Sequence, residues 1–446
     1  MKILTHAARF ILRAPLAGPA AAPAAPSRNT PATAVAMLFI GLLSLQPASG
    51  LDFGGNLNSS TGLVNDNPTF SNTASAFLRY SPAVEPGSLN LSWLIEGSVT
   101  SRVSRADNGD WDDTLTGDLG LARAIVLAPA ALGPRSTLRT TFGRTTYVEP
   151  TTLIFAERVD GATIDLNYPR FGITLGAGYT GLLARENSSI RMSLDDFADS
   201  DYFASPRIVT GAALRAPALF ARQTVTTGAV AQWDVRGDTE FEEINSQYVF
   251  SAVEGPVTRA LSYNGSFAVS RAVSAFSDNN GEFAETDPVL GLSAGLEAEY
   301  YLGPAEQSRI AATARWISGD SLDTAADAPG DHRWGRFTPI APGSPQLLHS
   351  PGRSDLTLAK LDYSVRPFAG APGARARSLE AGAYAAGTFA ADLSDSDAYR
   401  GLETGAQVTA RPFSELGARA WLAGFFPGDS DLDNDLYARF ELSTSF

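Results

Sequence analysis

From residue 51 onward the chain is written in segments of about ten residues in which apolar side chains alternate with polar or small ones, a period of two that only an extended strand satisfies. In Pro288 to Tyr301, Leu290, Leu292, Ala294, Leu296, Ala298 and Tyr300 share one face, and Gly291, Ser293, Gly295, Glu297 and Glu299 share the other. The same division holds for Leu89, Leu91, Trp93 and Ile95, for Phe171 to Tyr179, for Leu261, Tyr263, Phe267 and Val269, and for Ile310, Ala312, Ala314 and Trp316. No segment carries a convincing helical period. The fold class is therefore all-β, and what separates a soluble sandwich from a membrane barrel is strand length and the pattern of connectors.

Connectors alternate in kind. Short Pro/Gly turns fall at Ser81 to Gly87, Pro129 to Arg135, Tyr168 to Arg170, Arg215 to Ala218, Gly255 to Arg259, Gly303 to Gln307, Pro367 to Arg377 and Pro412 to Glu415. Longer connectors, many of them acidic, fall at Asn58 to Thr69, Arg102 to Asp113, Glu149 to Arg158, Arg185 to Ser205, Gly237 to Ser246, Ser274 to Asp287, Ser318 to Arg353, Ala391 to Arg400 and Pro427 to Asp433. That interleaving is the pattern of a transmembrane antiparallel β-barrel with short periplasmic turns and long extracellular loops. It predicts about eighteen strands, with sixteen the alternative, each about 9 to 11 residues long.

The N-terminal region reads as an export signal. Its apolar run, Ala34 to Leu45, is 12 residues, well short of the roughly 20 a spanning helix needs. Lys2, Arg9, Arg13 and Arg28 precede or flank it without an acid, and Ala48, Ser49 and Gly50 are small where a signal peptidase cuts. The expected organisation is a cleaved signal peptide over residues 1–50 and a barrel over 51–446. Cleavage takes four basic residues from 34 Lys+Arg and leaves 30 against 48 Asp+Glu, a net charge of −18. So acidic a protein is not expected to bind nucleic acid, where phosphates call for clustered Lys and Arg. The last segment alternates through Leu436, Ala438, Phe440, Leu442 and Thr444 to Phe446. It resembles the terminal strand by which the barrel-assembly machinery takes up outer-membrane barrels.

Catalytic and metal chemistry finds little material. The chain has no cysteine and three histidines, of which His332 and His349 lie in the longest connector without a matching nucleophile elbow; no enzyme activity is expected. Two acidic clusters, Asp195-Asp196-Phe197-Ala198-Asp199-Ser200-Asp201 and the run carrying Asp429, Asp431, Asp433 and Asp435, have the alternating oxygen ligands of calcium loops. They lack the glycine at the sixth position and the glutamate at the twelfth, so solvated loops are the plainer reading and calcium the competing one.

Charge on the face opposite the apolar stripe has a stronger meaning, because a charge facing lipid is costly and must turn to the lumen. Strand phase puts Arg79, Glu96, Arg139, Asp165, Arg222, Asp234, Glu297, Glu299, Arg309, Arg315, Lys360, Asp362, Arg366, Glu380, Glu403, Arg411, Arg419, Arg439 and Glu441 inside. Arg315, Lys360, Arg366, Arg411, Arg419 and Arg439 form a basic run that either meets in an anion-favouring constriction or is neutralised by Glu297, Asp362, Glu380, Glu403 and Glu441. The connector Ser318 to Arg353 holds Trp334, Arg336 and Phe337, more apolar than a free loop; folding into the lumen as a constriction is slightly favoured over packing on the rim.

With Phe142-Gly143-Arg144, Arg158-Val159-Asp160-Gly161, Ser318-Gly319-Asp320 and Phe425-Phe426-Pro427-Gly428, the chain weakly resembles eighteen-stranded substrate-specific outer-membrane channels, and in particular barrels of the alginate-export type. The resemblance implies passive movement of an anionic saccharide through an arginine-lined pore, although the many lumenal acids count against alginate itself. The leading expectation is an outer-membrane channel for small hydrophilic solutes, with an anionic or saccharide cargo as its narrower form, and with outer-membrane lipid and lipopolysaccharide around it. The other class is a non-conducting surface barrel that carries adhesive or structural loops.

Overall fold

The computed structural model describes residues 50–446 except 66, 83–86, 106–108, 194–195, 197–200, 221, 237–242, 278–282, 286–287, 304–307, 320–335, 344–346, 348–353, 370–377, 394–397 and 430–431. Residues 1–49 of the expected signal peptide lie outside the described residues, as do Trp334, His332, His349 and Asp431.

The strands, in chain order, are β1 (Leu51–Val64), β2 (Asn67–Tyr80), β3 (Asn90–Arg105), β4 (Trp111–Pro129), β5 (Thr137–Val148), β6 (Ala156–Asn167), β7 (Gly172–Tyr179), β8 (Arg207–Phe220), β9 (Gln223–Asp234), β10 (Glu243–Pro256), β11 (Leu261–Ser277), β12 (Phe283–Glu285), β13 (Val289–Leu302), β14 (Ser308–Ile317), β15 (Leu356–Val365), β16 (Glu380–Phe389), β17 (Tyr399–Phe413), β18 (Leu416–Pro427) and β19 (Asp435–Ser445). Apart from the three-residue β12, which pairs with the end of β11, each strand runs antiparallel beside the next, and β1 pairs with both β2 and β19. The sheet therefore closes into an eighteen-stranded barrel. Gly55 and Phe446 exchange backbone hydrogen bonds of 3.0 and 3.1 Å at the seam. Closure leaves no free edge around the body of the sheet, the condition a sheet must meet to stand in hydrocarbon.

Residues paired directly across antiparallel strands point to the same side, so the register sorts every strand residue into one of two faces. The inner face holds Tyr248, Phe250 and Leu358, all buried. The outer face holds Leu57, Leu91, Ile164, Leu175, Val249, Phe267, Leu296, Leu361, Leu422 and Phe440, large apolar side chains left exposed by the sheet. Two outer rows of aromatics bound this apolar band: Phe70, Trp111, Trp233, Trp316, Phe389 and Phe426 toward the loop end, Tyr80, Trp93, Tyr300 and Tyr363 toward the turn end. On β2 the ten residue steps from Phe70 to Tyr80 span about 33 Å along the strand, or about 25 Å in height at the usual barrel tilt.

The strands are longer than the alternation suggested. β1, β2, β3 and β4 have 14, 14, 16 and 19 residues, so much of Asn58 to Thr69 and Arg102 to Asp113 is strand and not loop. Only residues 65 and 66 separate β1 from β2. Beyond the apolar band a strand stands in water and needs no apolar stripe; its backbone pairing persists while the sequence signal fades. Arg222, assigned to the lumenal face, instead lies in the two-residue turn between β8 and β9 with φ of 69°.

Candidate functional site: an interior narrowed by three folded connectors

Three connectors at the loop end turn into the barrel. They are residues 149–155 between β5 and β6, residues 180–206 between β7 and β8, and residues 336–343 between β14 and β15. Their apolar side chains, among them Leu153, Ile154, Phe155, Leu183, Ile190, Met192, Phe337, Ile340 and Ala341, join Tyr147, Val209, Val230, Tyr248, Phe250 and Leu358 of the inner wall in one buried cluster. The expectation for Arg336 and Phe337 can now be placed. Phe337 is fully buried against the ring of Tyr248, 5.7 Å away, while Arg336 donates through Nε to Ser354 Oγ at 2.8 Å.

The first and third connectors brace each other. Phe155 and Ala341 form a parallel bridge; the Ala156 N–H donates to Ala341 O, and the Ala341 N–H to Ile154 O. Arg315 of β14 donates through Nη1 to Gly343 O at 2.9 Å, and Tyr248 donates its hydroxyl to Thr338 O at 2.5 Å. The wall makes room at Gly291, where a Cβ would come within 2.5 Å of Phe337 Cα. Inside the turn 149–155 the buried Glu149 carboxylate accepts from the Thr151 N–H, the Thr151 hydroxyl and the Ile154 N–H. Burial pushes this carboxyl above the usual carboxylate range, against the pull of the Ile154, Thr151 and Leu153 donors.

The second connector is anchored by charge. Arg207 at the start of β8 is fully buried and lies 2.8 Å from Asp196 and 3.1 Å from Asp234, and Arg236 reaches Asp196 at 3.2 Å. Burial alone would raise the Asp196 carboxyl; the Arg207 charge, the Ser205 hydroxyl and the Met192 and Ser193 N–H groups outweigh it and hold the group below its usual range. Asp196 belongs to the acidic cluster 195–201, and its carboxylate is engaged in this buried ion pair; Asp195 and Asp199 lie outside the described residues. Removing one partner of such a buried pair typically costs about 3 to 5 kcal/mol.

This connector also stands in for part of the wall. β4 and β5 pair only as far as Ala122 and Arg144, where Gly143, with φ of 102°, bends β5 away. Gly161, its partner on β6, would place a Cβ 2.0 Å from Ala177 O. Beyond the bend the loop end of the β5–β6 hairpin parts from β4, and the second connector takes up the vacated edge. Tyr202 donates to Gly117 O and Thr116 to Glu186; Arg144 donates to Leu119 O and Leu182 O, both at 2.8 Å; Asn187 donates to Asp118 at 2.9 Å. The two short motifs around Gly143 and Gly161 sit at this bend.

The remaining strand residues put forward for the pore lie on the inner face by register, save Arg411, which sits at the register shift of β17; Arg366 follows directly on β15. The basic run divides. Lys360 pairs with Asp362 at 3.1 Å, Arg366 with Glu380 at 3.3 Å, and Arg439 with Glu441 at 3.8 Å; Arg309 pairs with Glu299 at 2.8 Å. Arg315, Arg411 and Arg419 have no carboxylate within ion-pair distance among the described residues. Arg419 lies over the Trp421 ring at 4.5 Å, with Arg439 at 5.4 Å from the same ring. Glu403 is buried and accepts from the Tyr384 hydroxyl at 2.5 Å; Glu297 faces the lumen beside Thr313. These groups are spread along the pore: Arg366 and Arg411 stand at the turn end, Lys360 midway, Arg315 near the loop end. Arg79, Arg215 and Arg439 keep about half of their side-chain surface exposed on the inner face.

Among the described residues no group of three or more His, Asp or Glu is placed to hold a metal ion. Asp435 bonds Asn65 and Tyr437.

A closed eighteen-stranded antiparallel barrel, apolar outside and charged within, is the class this chain defines. No protein-family model matches it, and no curated protein matches it in sequence. Solved structures share the fold. The crystal structure of Pseudomonas aeruginosa OccK5 (OpdH) superposes with a TM-score of 0.53 at 12% identity, over 90% of this chain and 99% of that one. OpdQ of the same organism gives 0.53 at 13%, over 90% and 99%, and OccK2 (OpdF) gives 0.54 at 13%, over 89% and 97%. The eighteen-stranded architecture is the part of the earlier resemblance that stands; the alginate-export type finds no support in these matches.

Proposed function

We propose that the protein is an outer-membrane channel through which small hydrophilic solutes diffuse passively. The observation that carries this reading is the segregation of charge by the sheet: the outer face is an apolar band between two aromatic rows, while arginines and carboxylates project into the interior and stay partly exposed there. A band of that height fits the bilayer core, and exposed ionised groups require water inside. The barrel shared with OccK5, OpdQ and OccK2 supports the same reading. The short-turn end then faces the periplasm and the loop end the exterior.

The three inward connectors narrow this path, and discrimination falls to size and charge. Arg315, Arg411 and Arg419, which lack carboxylate partners among the described residues, favour anionic solutes. Liposome swelling tests the reading: vesicles carrying the folded protein should swell in small hydrophilic solutes, at rates that fall steeply with solute size. Rates equal to those of protein-free vesicles would leave the second reading, a non-conducting surface barrel.

A further inference from the structure

The uncovered outer face is nearly free of charge, and Arg271 breaks the pattern. It lies on β11 opposite Gln247 of β10 and Leu290 of β13. Its inward neighbour Ser270 is buried opposite Tyr248, whereas Arg271 and Gln247 are exposed. Along the strand its outer-face neighbours are Val269 and Val273. Arg105, Asp113 and Glu243, also outward, lie at or near strand tips, and Arg144, Arg158 and Asp160 are covered by the second connector. Among the described strand residues Arg271 is the one cation on the uncovered outer face away from a tip. Its side chain has no hydrogen bond or ion pair among the described residues.

Its height gives the charge a purpose. Trp233 of the loop-end aromatic row follows Gln232, the partner of Ser246, and so comes level with Asn245 and Val273, one outer-face step above Arg271, or about 7 Å along the strand. A guanidinium just below an aromatic row reaches the headgroup layer by extending its stem upward, and an unpaired lipid-facing charge there calls for an anion. Gln247 and Asn245 add amides beside it, and Val249 and Phe267, exposed outer-face residues below, offer an apolar surface for acyl chains. A planar fork of N–H donors fits a phosphate better than a point charge would.

From this arrangement we infer that Arg271, with Gln247 and Asn245, forms a binding site for the phosphate of a phosphorylated lipid in the outer leaflet. The inference rests on the channel reading for one thing only, the placing of the loop end in that leaflet.

The folded protein in neutral detergent is titrated with bis-phosphorylated lipid A and with its dephosphorylated form, retention being read by native mass spectrometry. The phosphorylated form should bind about fivefold or more tightly, the effect of one arginine at an anionic membrane surface. Arg271→Gln should erase the difference and Arg271→Glu should weaken binding further. Millimolar inorganic phosphate should not displace the lipid, because the chains contribute through Val249 and Phe267. Equal retention of the two lipids by the unaltered protein, an unchanged preference in Arg271→Gln, or full displacement by inorganic phosphate would each overturn the site. Planar-bilayer conductance of the same preparations keeps the two ideas apart: a conducting protein without phosphate preference removes the lipid site alone, and a phosphate-selective protein without conductance removes the channel alone.

Discussion

Arg158 of β6 reaches Asp118 of β4 at 2.7 Å, although β5 stands between these strands in the sheet. The contact exists because β5 leaves β4 at Gly143 and the loop end of the β5–β6 hairpin parts from the wall. Asp118 also lies 3.9 Å from Arg144 and accepts from Asn187, so one carboxylate joins the bent hairpin, the strand it left and the connector that replaces it. Asp118→Asn should weaken this seam by about 3 kcal/mol, since two arginines lose a buried counter-charge. The loss should be seen as a lower temperature for the heat-modifiable mobility shift, and as faster proteolysis within residues 180–206.

The inner connectors should respond to pH in opposite senses. Asp196 is held below its ordinary value of 3.8, so its contribution to seating residues 180–206 is present above that value and is lost as pH falls through the lower folded-state value. Glu149 is raised above 4.5; its contribution is complete below 4.5 and declines as pH rises through the raised value. Limited proteolysis across a pH series should therefore show the second connector released as pH falls below the ordinary carboxylate range, and the first loosening as pH rises above it. Glu149→Gln should abolish the step on the rising side and leave the acid one.

Gly291 should be intolerant of a side chain. Gly291→Ala sets a Cβ against the Phe337 backbone, and overpacking of that kind costs about 1 to 3 kcal/mol, concentrated on the segment 336–343. The variant should keep its barrel, judged by heat-modifiable mobility, and change its conductance because this segment is displaced from the wall. Unchanged conductance would show that the segment does not narrow the path.

Charge selectivity should follow the lumenal arginines. Replacing Arg315, Lys360 and Arg411 together with glutamine should shift the reversal potential in a salt gradient toward cations. Arg315 and Arg411 should account for most of the shift, since Lys360 is already offset by Asp362.

The alternation at residues 288–301 was enough to place Leu296 outside and Glu297 inside, because a strand that faces lipid on one side and water on the other writes its register into every second residue. The strand extensions were not legible: Gly62 pairs with Thr69 and Val64 with Asn67 beyond the aromatic row, where hydration suffices on both faces. Nor was the buried ion pair of Arg207. Asp234 was assigned inward by phase, but its partner Asp196 lies in a connector whose acids look like those of any solvated loop, and only tertiary contact distinguishes it. Phe337 could be suspected from its apolar surroundings, whereas Leu153 and Ile154 lay in a connector too short to suggest an inward fold. Gly143 stood within a quoted motif, yet its left-handed backbone and the bend it permits have no one-residue signature.

Single-channel recording of the purified, folded barrel in a planar bilayer tests the central claim most directly. The account predicts discrete conductance steps that scale with salt concentration and favour anions. A heat-modifiable, correctly folded barrel that inserts and yields no steps would contradict it.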